Sequence, residues 1–258
     1  MSFAALLNGA EPREGGCALT IPESWHQGRT AYGGLSSALA FAVAKRVGGD
    51  LPPLRAAQVS MIAPIAGAVE IRAREVRRGR NATWIAAEIH GGQGLGFAAC
   101  FVFMSPAESD LALNRRRPPD DLIPVDEARG FANERGPAFR RHHFEVRFAL
   151  PRTPEKAPEM CWWVRARDAA GLDPAAEVLL TADALPPGAM PLLAATVPVS
   201  TMQWQVNLLT PAPTTQGWWL LRSTGDYAGQ GCSSQHMEMW NEAGEPIAFG
   251  MQSVALFG

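Results

Sequence analysis

The chain lacks the motifs that most directly announce nucleophilic or nucleotide chemistry. It has no G-x-S-x-G turn, no P-loop, and no G-x-G-x-x-G set between a strand and a helix. Cysteine is scarce: Cys17, Cys100, Cys161 and Cys232 lie far apart and form no C-x-x-C pair. That spacing suits reduced thiols in a cytoplasm rather than a disulfide framework or a zinc site. Charge of one sign is not in excess, since 23 basic residues face 25 acidic ones for a net charge of −2. A general drive toward nucleic acid or an anionic membrane is therefore absent. The basic run Arg115 to Arg117 sits beside Pro118, Pro119, Asp120 and Asp121 and reads as a solvated linker. No apolar run approaches the ~18 residues that span a bilayer. Met1 to Ala10 holds no basic n-region, so no secretory leader is expected. His142-His143 and His90 have no metal-ligand partner at useful spacing, so no metal site is expected, and no cofactor is expected either.

What is present is a substantial core: 47% of the residues are hydrophobic and only 19% charged. The chain is organised around Gly28 to Lys45 (GRTAYGGLSSALAFAVAK), where Gly33 and Gly34 open a run with no proline and no charge before Lys45. Leu35, Ala38, Leu39, Ala42 and Val43 recur at helical spacing, with Ser36, Ser37 and Ala40 on the other side. A helix so apolar all round belongs inside a protein. Its Gly-rich start leaves backbone N–H groups that suit an anion or a polarised carbonyl, or else simply permits close packing. Gly48 and Gly49, with Pro52 and Pro53 beyond, stop it. Four strand-like runs follow: Leu54 to Ile62, Ala68 to Arg77, Trp84 to His90 and Leu95 to Met104.

Residues 106–137 are rich in Pro, Arg and Asp, and are expected to connect two halves, with a short helix around Val125 to Phe131. The expected division is 1–105, the connector 106–137, and 138–258. In the second half, strands over Phe144 to Leu150 and Cys161 to Arg167 precede a helix that starts at Asp173-Pro174 and is stopped by Pro186-Pro187-Gly188. Val199 to Leu209, Gly217 to Arg222, Gln235 to Trp240 and Ile247 to Phe257 then read as strands. The halves repeat one another. Gln58 to Pro64 matches Gln205 to Pro211 in pattern, and aligning Phe97 with Phe249 sets Cys100 opposite Gln252. In Trp162-Trp163 and Trp218-Trp219, neighbouring indoles must point to opposite sheet faces.

Thr30 to Leu35, the Gln205 to Pro211 strand, and Glu238 to Gln252 (EMWNEAGEPIAFGMQ) together resemble the acyl-CoA thioesterase II type of double hotdog protein. The resemblance implies an α+β chain of two pseudo-repeats, each an antiparallel sheet around one long central helix. It also implies hydrolysis of an acyl-CoA or related acyl thioester by a water held by an Asp, a Ser or Thr, and a Gln of the second half. Carried over by position, the Gln falls on Gln252. The Asp, eight residues before the strand-ending proline, falls on Gln203, an amide that can hold water but is no base. The hydroxyl falls within Ser223 to Tyr227, so Thr224 and Asp226 enter as candidates to complete the site. Gly33, Gly34, Tyr32 and Gln58 are the expected substrate contacts. Gln203 in the acid's place keeps a second reading open, a non-hydrolytic acyl-thioester binding protein of the same fold. A hotdog dehydratase would want a His–carboxylate pair near the helix, and none is evident. The expected partners are an acyl thioester and further copies of the chain, with neither nucleic acid nor membrane.

Overall fold

The computed structural model describes residues 1–131, 136–195, 197–210, 214 and 216–257. The first half opens with a short helix, α1 (Phe3–Asn8), and strands β1 (Glu11–Arg13) and β2 (Gly16–Ile21). A two-stranded hairpin, β3 (His26–Gln27) and β4 (Thr30–Ala31), leads into α2 (Gly33–Gly48), then β5 (Leu54–Met61), β6 (Gly67–Arg78), β7 (Ala82–Gly91) and β8 (Gly94–Met104). The second half repeats the plan with α3 (Ala138–His143), β9 (Phe144–Phe148), β10 (Glu159–Ala166), α4 (Pro174–Ala182), β11 (Val199–Leu208), β12 (Trp219–Gly229), β13 (Cys232–Asn241) and β14 (Pro246–Leu256).

Twelve of the strands form one antiparallel sheet in the order β1-β2-β6-β7-β8-β5-β11-β14-β13-β12-β10-β9. Read inward from either edge, the two halves give the same sequence of equivalent strands. They meet at β5–β11, where Gln58 pairs with Gln205, the two residues that head the sequence repeat. Joining the halves there removes two sheet edges that would otherwise stay unpaired. The ladders correct the expected repeat register by one residue. Trp204 pairs with Gln252 and Ala57 pairs with Phe101, so Phe101, not Cys100, is the counterpart of Gln252. A one-residue slip changes the face a side chain occupies, which is why Cys100 lies half-buried on the outer surface while Phe101 is fully buried.

Helix α2 is buried on nearly every side, between the sheet, α1 and α4. The second helix departs from the expected long form. With Pro at N1 and the Asp173 side chain accepting from the Ala175 and Ala176 N–H groups, α4 begins cleanly, but it runs only 9 residues before Asp183 caps it. The connector forms no helix at Val125 to Phe131. Pro124 accepts from the Glu127 and Ala128 N–H groups in a single turn, and Val125 and Ala128 instead cover Trp163, Trp218 and Trp240 in a second small core. Trp162 and Trp219 face the main core, so each Trp-Trp pair does divide between two faces. Pro211, expected to end the β11 run, lies outside the described residues.

Candidate active site

Helices α2 and α4 lie antiparallel, Lys45 pairing with Asp173 at one end and the Tyr32 hydroxyl donating to the Leu180 carbonyl at 2.7 Å at the other. Contact this close depends on Gly33 and Gly34. A Cβ at Gly34 would fall 2.5 Å from the Leu180 carbonyl oxygen, and one at Gly33 would fall 2.3 Å from Met61 Cε and 2.6 Å from Asp183 Oδ2. The paired glycines thus bring the start of α2 against the end of α4, and against one side chain in particular.

That side chain is Asp183, buried at 9% exposure. The Gly34 N–H donates to its carboxylate, and Gln252 Nε2 donates to Oδ1 at 2.6 Å. Both donors favour the charged form, yet burial outweighs them and pushes the carboxyl up to about 7. Its position at the negative end of α4 acts in the same direction, and the positive end of α2 against it. The group is therefore poised to exchange a proton near neutrality. Asp183 opens onto a cavity of about 140 Å³ lined also by Gly33, Ser36, Met61, Phe97 and Thr201. Among the described residues that line it, Asp183 is the sole charged one.

A bulge brings Thr201 there. Thr201 pairs with Val254, Gln203 with Ser253, and the extra residue Met202 is squeezed out and exposed. Without it, Thr201 and Gln203 would share a face; with it, Thr201 joins the inner face and Gln203 stays outside.

The structure therefore divides the residues expected from sequence. Gln252, Gly33 and Gly34 converge on Asp183. Tyr32 is buried beside them, stacked on Phe139 at 3.9 Å, and holds α4 by its hydroxyl. Gln203 and Gln58 are exposed on the outer sheet face, because Trp204, Ala57 and Val59 take the inner positions beside them. Thr224 pairs with His236 on that same outer side, its neighbour Ser223 being the buried one. Asp226 reaches His236 Nδ1 at 3.0 Å with its side chain 41% exposed, a surface contact that faces away from Gln252. Asp183 and Thr201 were not recognised in the sequence. A signal for Asp183 was available: from Val178 to Leu221 it is the only charged residue.

The models of two thioesterase domains match the chain. The acyl-CoA thioesterase N-terminal domain covers residues 21–104, and the acyl-CoA thioesterase C-terminal domain covers residues 119–256. The chain belongs to the acyl-CoA thioesterase family. Solved structures of the hot dog fold superpose over its whole length. A conserved protein of unknown function with a hot dog fold from Alicyclobacillus acidocaldarius is 19% identical with a TM-score of 0.87, the match covering 100% of this chain and 98% of that one. The tesB protein of Mycobacterium avium subs. paratuberculosis is 15% identical with a TM-score of 0.80, covering 100% of both chains. An acyl-CoA thioesterase II, TesB2, from Mycobacterium marinum is 15% identical with a TM-score of 0.79, covering 100% and 99%. At these identities the likeness fixes the fold, an α+β double hot dog. No curated protein matches the chain.

The thioesterase chain carries this constellation once. Across the pseudo-twofold, Phe101 stands for Gln252 and Ile85 for Gln235, so the equivalent positions of the first half are apolar. Among the described residues no cluster of metal-ligating side chains occurs, and no helix is long and apolar enough to cross a membrane.

Proposed function

We propose that the chain hydrolyses an acyl-CoA, or a closely related acyl thioester, by direct attack of water at the Asp183 cavity. The observation that carries this reading is a buried carboxylate, held near neutral pKa, facing a cavity at the amino end of a helix. Asp183 takes a proton from the water as its oxygen bonds to the thioester carbonyl carbon. Thr201 holds the water from the other side of the cavity, and Gln252 fixes the carboxylate. N–H groups of the first turn of α2, Gly33 among them, stabilise the carbonyl oxygen as charge develops on it. The C–S bond then breaks, the sulfur takes the proton, and free acid and thiol leave. No cofactor takes part. Asp183 supplies the base that Gln203 could not, which removes the reason for the binding-protein reading.

The same reading divides the chain into hot dogs at 1–105 and 138–258 around the connector, and makes it a cytoplasmic homo-oligomer. Four free cysteines support the compartment. The test is thiol release from a panel of acyl-CoAs, short to long and including an aromatic one, by wild type, Asp183→Asn and Gln252→Ala. Turnover on any member, abolished in folded Asp183→Asn, is the expected result. Saturable binding without release would restore the non-hydrolytic reading, and neither binding nor release would remove the thioester assignment.

A further inference from the structure

Gln235 lies on the inner face of β13, only 1% exposed, directly beside Gln252 in the ladder. Every polar atom of its side chain is engaged. Oε1 accepts from the Gly188 N–H at 2.8 Å, while Nε2 donates to Gln252 Oε1 at 2.9 Å and to Met237 Sδ at 3.2 Å. The direction of this chain is set by its first member. A backbone N–H can only donate, so the oxygen of Gln235 must face Gly188 and its nitrogen must face Gln252. Gln252 must then present its oxygen to Gln235, which leaves its nitrogen for Asp183. Gly188 packs closely on the β12 bulge, where a Cβ would fall 2.6 Å from the Gly225 nitrogen.

We propose that Gln235 is a positioning residue that locks the Gln252 amide in one of its two orientations, so that Asp183 always meets a donor rather than an acceptor. This rests on the reading of Asp183 as the base. Turned over, Gln252 would place its carbonyl oxygen against the carboxylate, an arrangement stable only when Asp183 carries a proton and has ceased to be a base. The other groups facing Asp183 do not supply this control. From α2 come the Gly34 N–H and Tyr32, whose hydroxyl is committed to Leu180; from β11 comes Thr201, and from β5 Met61. Within the first half, Ile85 occupies the position of Gln235 and no amide relay exists.

Two variants test the lock. Gln235→Met keeps an unbranched side chain of similar size but offers Gln252 no donor. Gln235→Glu keeps the acceptor for Gly188 and offers Gln252 an acceptor, which draws the Gln252 nitrogen away from Asp183. The expected result is an acidic limb of kcat/KM moved to higher pH by about one unit in Gln235→Met and further in Gln235→Glu, with KM within about twofold of wild type. A uniform loss of rate with an unmoved limb, or no change, would overturn the proposal. Should the variants not fold, the wild type decides by itself. In ¹⁵N spectra the side-chain NH₂ signals of Gln252 and Gln235 are expected to shift together with one midpoint as pH rises, and a Gln235 signal that stays still overturns the lock. The NMR titration does not depend on turnover. If Asp183→Asn keeps hydrolysing while both amides titrate in wild type, the catalytic reading fails and the relay stands.

Discussion

Replacing Asp183 by Asn separates two consequences of burying a carboxylate in opposite directions. An ordinary Asp titrates near 3.9, and each unit of displacement is worth ~1.4 kcal/mol. With the folded value pushed up to about 7, the protonated form is the one the fold prefers. This stability is fully present below the unfolded value and is lost as pH rises toward 7, by up to ~4 kcal/mol. Asparagine carries no charge to bury but returns some of the gain, because its single acceptor oxygen must serve the donors Gln252 and Gly34 that a carboxylate meets with two; a lost bond is worth ~1–2 kcal/mol. At pH 8 the variant is therefore expected to be more stable than wild type by ~2–3 kcal/mol, several degrees in Tm for a chain of this size. At pH 4–5 the advantage should vanish. Hydrolysis, in contrast, should fall by ~10²–10⁴-fold with the loss of the base. The assay is a pair of thermal unfolding series at the two pH values, together with thiol release. A variant no more stable at pH 8 than wild type, or one that hydrolyses within tenfold of it, would refute the argument that this buried charge is retained for chemistry.

Three further outcomes are expected. Gly34→Ala drives a methyl group against the Leu180 carbonyl, and should destabilise the protein by ~1–3 kcal/mol in denaturant titrations while lowering kcat. Thr201→Ala should reduce kcat by ~10²-fold in the same thiol-release assay, whereas Gln203→Ala and Thr224→Ala, on the outer face, should leave it within about threefold. Arg29 stands exposed at the tip of the β3–β4 hairpin between the cavity-lining Gln27 and Thr30. Arg29→Ala should raise KM for an acyl-CoA by about tenfold and leave KM unchanged for the matching N-acetylcysteamine thioester, which has no phosphates. Equal effects on both would remove phosphate contact as the function of that side chain.

The sequence determined what depends on local periodicity and on residue chemistry that neighbours cannot alter. An apolar run such as Leu35 to Ala44 has nowhere to go but the interior. Pro at the start and Pro-Pro-Gly after the end bound α4, and the recurrence of Gln58 to Ile62 in Gln205 to Leu209 announced two equivalent halves. Gln252 came from the resemblance of the closing segment Glu238 to Gln252, and its inward facing from the ladder it forms with Trp204. The remaining members of the site depend on contacts that no local pattern encodes. Thr201 reaches the cavity only because a bulge adds Met202 and reverses the alternation, whereas Gln203 keeps the outward face that regular alternation with Trp204 gives it. Asp183 becomes a base candidate only because Gly33 and Gly34 let two helices, some 150 residues apart in the chain, close over it and strip away water. The direction of the Gln235–Gln252 amides follows from one backbone N–H at Gly188, delivered by a loop that must pack against β12 before the relay has an anchor. Tertiary structure decided these because burial, hydrogen-bond direction and proton affinity are properties of an assembled environment, not of a residue in its sequence neighbourhood.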